Sequence, residues 1–357
     1  MRPAPTGAHA AAESSAVGEA RACDGRSQVA GAPDEKAAAA GRACKPDWLR
    51  VRVPPAPQFR ATAGLVERLR LHTVCEEARC PNKGECFAAG TATFLILGDE
   101  CSRACRFCSV KHGRPGGAVD ADEPRRVAQA AAALGLRHVV VTSVTRDDLP
   151  DGGAAQFGAT IAAVRRALPD TTVEVLVPDF GGHMRALATV LAERPHVLNH
   201  NLETVPSLYG HVRPQAGYGR SLELLRRAAE LARAASGSRM PRAASGGSTC
   251  AADADGAPRV FVKTGLMVGL GETWDEVDAV LADCAAAGVD MVTAGQYLQP
   301  NGGCLPVARF VPPEEFAELE LRGAALGLHV IAAPFVRSSY RAGEAYRRTA
   351  GDPERDA

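Results

Sequence analysis

Ala92-Thr93-Phe94-Leu95-Ile96-Leu97-Gly98-Asp99-Glu100-Cys101-Ser102-Arg103-Ala104-Cys105-Arg106-Phe107-Cys108 joins an apolar run directly to three cysteines spaced C-x3-C-x2-C. The run Ala92–Leu97, closed by a glycine, reads as a buried strand. The three thiols therefore stand on a loop just past the strand's carboxyl end. Thiolates two to five residues apart on a loop can converge on one metal centre. In barrels of parallel strands, the loops at the carboxyl ends build the active site.

The chain continues in the same rhythm. Further strands are expected at His138–Thr142, Val173–Val177, His196–His200, Val260–Val268 and Asp290–Ala294. Between them, helices are expected at Arg125–Leu134, Ala154–Leu168, Gly182–Ala192, Leu222–Ala234 and Trp274–Ala287. Alternation of this kind implies parallel βαβ units with right-handed crossovers. Six such units are too few to close an eight-stranded barrel. The expected fold is α/β, an open partial (β/α)6 TIM-type barrel, with a doubly wound sheet as the alternative that periodicity does not separate. Four parts are expected: a tail over 1–44, an N-terminal extension over 45–90, the barrel over 91–334 and a C-terminal segment over 335–357. Residues 1–44 hold 15 alanines and no Leu, Ile, Phe, Tyr or Trp, too little apolar surface to offset the entropy of ordering. The Ala, Ser and Gly-rich stretch 235–257 reads as a flexible surface loop inserted in the barrel.

The 41 basic and 41 acidic side chains cancel, which gives no signature of a nucleic acid or anionic membrane partner. No apolar run approaches the roughly 18 residues that span a bilayer, and no secretory signal opens the chain. The expected location is the cytoplasm, or an organelle matrix should residues 1–44 act as a leader. Thiols stay reduced there, so the eleven cysteines need an explanation other than disulfides. Six of them form two triplets: Cys101, Cys105 and Cys108, and, spaced C-x4-C-x5-C, Cys75, Cys80 and Cys86. Cys23, Cys44, Cys250, Cys284 and Cys304 are scattered. A zinc site is the competing reading, with His112 completing a Cys3His set, although structural zinc usually presents paired C-x2-C knuckles. An iron–sulfur cubane held by only three thiolates leaves one iron open, as a cluster needs if it is to bind and reduce a small molecule.

The spacing of Cys101, Cys105 and Cys108, with Phe107 before the last, resembles the radical S-adenosylmethionine (SAM) enzymes. Within them the chain resembles the lipoyl synthases, through Val74-Cys75-Glu76-Glu77-Ala78-Arg79-Cys80-Pro81-Asn82-Lys83-Gly84-Glu85-Cys86, Gly90-Thr91-Ala92-Thr93-Phe94 and Thr142-Ser143-Val144-Thr145-Arg146-Asp147-Asp148-Leu149. Asn199-His200-Asn201-Leu202-Glu203-Thr204, Gly295-Gln296-Tyr297-Leu298-Gln299-Pro300 and Arg337-Ser338-Ser339-Tyr340 extend the match, which runs from about Lys45 to Ala345. Two departures are the long 235–257 loop and Ala333, where a glycine is usual before Pro334; neither removes a ligand.

The resemblance implies two 4Fe-4S clusters and SAM, two molecules per lipoyl group. Cys101, Cys105 and Cys108 would carry the SAM-cleaving cluster; Cys75, Cys80 and Cys86, with Ser339 as fourth ligand, would carry an auxiliary cluster that donates sulfur. Ser338 is expected to make a structural hydrogen bond. Phe107 would stand near the adenine, and Gly265, Gly269 and Gly271, in a stretch similar to a fifth-strand barrel motif, would let backbone approach it. Thr142, Ser143, Glu174, Asn201 and Glu203 are candidates for the ribose and methionyl groups, and Arg213 for the carboxylate. The implied partners are an octanoylated lipoyl-carrier protein or domain, a reducing electron donor such as flavodoxin or ferredoxin, and an iron–sulfur carrier that rebuilds the spent cluster. The rivals are a methylthiotransferase acting on RNA, which usually appends an RNA-binding domain not visible here, and a non-catalytic zinc module.

Overall fold

A computed structural model of the chain describes residues 45–50, 56–235 and 259–351. The expectations for residues 1–44, for nearly all of the 235–257 loop and for Cys23, Cys44 and Cys250 lie outside the described residues. In chain order the strands are β1 (His72–Thr73), β2 (Thr93–Ile96), β3 (Glu100–Cys101), β4 (Lys111–His112), β5 (His138–Ser143) and β6 (Thr172–Leu176). They continue with β7 (Val197–Asn199), β8 (Phe261–Val268), β9 (Met291–Gln296) and β10 (His329–Ala332). Eight form one sheet in the order β1-β2-β5-β6-β7-β8-β9-β10, and β3 and β4 form a small parallel ladder beside it.

Within the sheet only the β1–β2 pair is antiparallel, with His72 opposite Leu95; the others run parallel. Spatial order follows chain order without reversal. A doubly wound sheet would reverse at a switch point, so the strands belong to a barrel-type winding, left open between β1 and β10. All six expected strands are present. The sequence reading missed two edges: β1, two residues long, and β10, which pairs with β9 through Val330 opposite Val292. Elements this short carry too little periodicity to stand out.

The strands are buried on both faces, so Val139, Val141, Val175 and Leu198 pack against helical residues such as Val127, Ile161, Leu187 and Leu225 in one core. The helix Trp274–Ala287 has the boundaries expected from sequence because both ends are marked. Thr273 and Glu276 form a capping box, and Gly288 ends the helix at φ 79° in the left-handed region. Helices Glu123–Ala133, Ala154–Ala167, Met184–Ala192 and Tyr218–Ala235 match their expected stretches to within a few residues. Among the described residues no helix is long and apolar enough to cross a membrane.

Candidate active site

At the carboxyl ends of the parallel strands a cavity of about 330 Å³ receives the residues that the sequence singled out. Cys75, Cys80, Cys86, Cys101, Cys105, Cys108, Phe107, Thr142, Ser143, Asn201, Glu203, Arg213, Gly265, Ser338 and Ser339 all line it. Glu174, Gly269 and Gly271 do not. Of the scattered cysteines, Cys284 is buried on the helix Trp274–Ala287, and Cys304, in the loop after β9, turns its thiol to the Cys108 carbonyl at 3.6 Å.

The loop Cys101–Cys108 is fixed from several sides. Thr145 donates its N–H to the Cys101 sulfur at 3.3 Å, and Ser102 donates its N–H to the Thr145 carbonyl. Arg103, 6% exposed, forks onto Asp147 at 2.8 and 2.7 Å and reaches Asp179 at 2.6 Å; Arg220 binds the other Asp179 oxygen at 2.7 Å. Burial alone would raise the Asp179 carboxyl, but Arg103 and its hydrogen bonds hold it well below the usual carboxylate range. This ionic frame ties the cysteine loop to the ends of β5 and β6. It also gives Asp147, noticed in sequence only as part of a family-like stretch, a physical task.

The second triplet comes from two short helices, Val74–Glu77 and Lys83–Ala88. The C-terminal segment is clamped to them. Asn82 donates to the Phe335 carbonyl at 2.8 Å, and the Tyr340 hydroxyl bonds Glu85 at 2.8 Å. Those two bonds bracket Ser339 and bring it to the wall that carries Cys75, Cys80 and Cys86. The Ser338 hydroxyl instead donates to Asn201 Oδ1 at 2.8 Å, the structural role expected for it. Arg337, unassigned in the sequence reading, folds back onto the Val336 carbonyl at 2.6 Å and stands near Cys80 and Glu203.

Burial pushes the Cys75 and Cys108 thiols up to about 12 and Cys86 up to about 11; Cys80 and Cys105 are raised for the same reason. Such thiols ionise when a metal cation takes the place of the proton. Among the described residues no three His, Cys, Asp or Glu side chains converge as ligands of one ion. His112, which would complete a Cys3His zinc set, is exposed on β4, where it pairs with Cys101 of β3. Three soft donors per site around a shared space fit polynuclear iron–sulfur centres instead.

The polar wall fits a charged small molecule. Ser143 Oγ and Arg213 Nε are buried without a hydrogen-bond partner, which is costly unless a ligand supplies one. Arg213 Nη1 bonds the carbonyls of Asn201 and Leu202 at 3.0 and 3.2 Å. Glu203 sits at φ 67°, strained for a non-glycine residue, and receives Asn201 Nδ2 at 3.1 Å. Burial raises its carboxyl, against the pull of Arg213. Thr142 is committed to the Leu176 carbonyl at 2.8 Å, and His200 to that of Val177 at 2.8 Å.

Three expected contacts, Glu174, Gly269 and Gly271, lie off the cavity wall. Glu174 is buried away from the cavity, bonded to Lys263 Nζ at 2.9 and 3.2 Å. At Gly265 the backbone is approached by the C-terminal segment: an added Cβ would stand 2.6 Å from Ser338 Oγ and 2.7 Å from Asn201 Oδ1. Gly269 is closed off by Gln296 and the Arg309 carbonyl, so it serves packing among loops.

The radical SAM superfamily profile matches residues 95–240 of the chain. With the open parallel barrel and the C-x3-C-x2-C loop at its carboxyl end, this defines the class: a radical SAM enzyme. The lipoyl synthase of Nitratidesulfovibrio vulgaris (strain DP4) is 52% identical over 302 residues, covering 84% of this chain and 92% of that protein. That of Rubrobacter xylanophilus is 50% identical over 305 residues, with 85% and 87% covered, and that of Nitrosococcus oceani is 50% identical over 334 residues, with 93% and 94% covered. The chain belongs to the lipoyl synthase family, whose cofactors are 4Fe-4S clusters and SAM.

Proposed function

We propose that this protein inserts sulfur at the sixth and eighth carbons of an octanoyl chain carried on a lysine of a carrier protein, consuming two SAM per lipoyl group. Cys101, Cys105 and Cys108 hold the SAM-cleaving cluster; Cys75, Cys80, Cys86 and Ser339 hold the auxiliary one. When bound, these groups supply one-electron cleavage of SAM and the sulfide that is transferred. The chain's own residues bind and orient. Ser143 and Arg213 offer unused hydrogen-bonding atoms to SAM, and Asn201 and Glu203 stand beside them. Leu95, Val144, Leu176, Leu266, Met267 and Val336 give the alkyl chain an apolar wall and exclude water.

One observation carries the reading: both cysteine triplets and Ser339 face one cavity, so a chain activated at one site can reach the other. We assign the extension 45–90 to the auxiliary ligands, 91–334 to the barrel and 335–357 to the segment that delivers Ser339. A flavodoxin- or ferredoxin-type donor, an iron–sulfur carrier for cluster rebuilding and a cytoplasmic location complete the proposal. Family membership sets aside the RNA-acting rival.

Ser339→Cys tests it. Thiolate holds iron at least as well as a serine oxygen and resists release when sulfur is donated. The expected variant keeps its iron and its 5′-deoxyadenosine formation but makes little thiolated product. Ser338→Ala, which loses one hydrogen bond worth about 1 kcal/mol, should be far milder. The reverse ranking would mean that Ser338 is the ligand, and two normal variants would remove the segment from the site.

A further inference from the structure

Lys263 is the third residue of β8, in the run Val260-Phe261-Val262-Lys263-Thr264-Gly265, and its side chain is 1% exposed. An ammonium is strongly hydrated and is rarely enclosed unless its hydrogens are all used. Lysine has three donors, and here each has an acceptor. Glu174 Oε1 and Oε2 on β6 lie at 2.9 and 3.2 Å. The third acceptor, and the nearest, is the backbone carbonyl of Ser338 at 2.6 Å.

Glu174 has further polar neighbours. Its Oε1 also accepts from Asn199 Nδ2 on β7 at 3.2 Å, and Oε2 lies 3.5 Å from His138 Nε2 on β5. The pair is thus rooted in four neighbouring strands of the sheet. An ion pair that served only to hold those strands together would have no use for an acceptor 75 residues away on the C-terminal segment. The Ser338 carbonyl belongs to the peptide plane that begins Ser339. Fixing that oxygen fixes the plane, and with it the direction in which Ser339 leaves the backbone. The Ser338 hydroxyl on Asn201 supplies a second anchor at 2.8 Å, and Gly265 leaves the room in which that second bond forms.

We infer that Lys263, held by Glu174, is a positioning residue that fixes the Ser338–Ser339 peptide plane and so aims the Ser339 hydroxyl at the wall carrying Cys75, Cys80 and Cys86. The inference rests on the reading of Ser339 as fourth ligand. It deepens that reading by naming what in the barrel holds the ligand in place. It also gives Glu174 a role: it supports the tether instead of touching a cofactor.

The test uses K263M/E174Q, which removes ammonium and carboxylate together and so leaves no lone buried charge. Hydrogen exchange is measured by mass spectrometry on full-length protein prepared without iron. Peptides within 334–341 should exchange about tenfold faster or more, while β5, β6 and β8 keep their protection. In the C101A/C105A/C108A background, loaded with iron and sulfide, the Mössbauer and visible spectra of K263M/E174Q should match those of S339A. Adding S339A to K263M/E174Q should then change nothing further, because both act through one ligand. Unchanged exchange at 334–341 overturns the inference, as do fully additive spectral changes. Loss of the fold in both K263M and K263M/E174Q also overturns it, by making the pair a determinant of the whole barrel. If exchange rises but neither K263M/E174Q nor S339A moves the spectrum, the tether stands and the assignment of Ser339 as ligand is what fails.

Discussion

Replacing Gly295 with alanine attacks the place where the C-terminal segment crosses the end of β9. A β-carbon there would stand 2.0 Å from the Val336 carbonyl oxygen and 2.9 Å from Arg337 Nη1. Ordinary contact starts near 3.4 Å, so the carbonyl must retreat by about 1.4 Å. It is backbone, not the free end of a side chain, and cannot swing aside. The retreat pulls on the bond from Gln296 N–H to the Pro334 carbonyl, 3.2 Å long, worth about 1 kcal/mol. Overpacking adds about 1–3 kcal/mol, so the docked segment should lose about 2–4 kcal/mol. Urea unfolding should show the midpoint lowered by that free energy divided by the slope, with the slope itself unchanged. Ser339 travels with the segment, so thiolated product should fall steeply while 5′-deoxyadenosine still forms. A variant with wild-type midpoint and wild-type product would refute the claim that this crossing positions the ligand.

Two further outcomes follow from the site and the core. Anaerobically reconstituted protein should bind about eight irons and the C101A/C105A/C108A variant about four; loss of all iron in that variant would show that the triplets do not form independent sites. Burial holds His200 and His196 down to about 4, so the unfolded chain, with histidines near 6.5, takes up protons first on acidification. Their contribution is whole above pH 6.5 and drains away as pH falls toward 4. The slope is about 1.4 kcal/mol per unit for each, or up to about 4 kcal/mol for the pair at pH 5. Equal urea midpoints at pH 7 and pH 5 would contradict it.

The barrel was legible because its strands are continuous apolar runs and its helices carry marked ends, as at Thr273 and Gly288. The cysteine loop was legible because local spacing alone brings three thiols together. What sequence could not show is convergence across the chain. Asn82 meets Phe335, and Tyr340 meets Glu85, over some 250 residues. Glu174 looked like a cofactor contact because a carboxylate within a barrel strand faces either the cavity or the barrel interior, and its partner decides which. That partner, Lys263, left one signal: a charged residue inside an apolar strand run. The same limit applied to Arg103, whose acceptors Asp147 and Asp179 lie 44 and 76 residues away. Gly265 read as room for an approaching adenine and Gly295 only as part of a family-like stretch, whereas their missing side chains make room for Ser338 and Val336.

The most direct test of the account is a single-turnover assay of C75A/C80A/C86A on an octanoyl-lysine carrier peptide, with 5′-deoxyadenosine and thiolated product measured together. The account predicts 5′-deoxyadenosine from the intact Cys101, Cys105 and Cys108 site and no thiolated peptide, because the sulfur source is gone. Thiolated peptide at wild-type yield would contradict it, since the transferred sulfur would then come from somewhere other than the site built by Cys75, Cys80, Cys86 and Ser339.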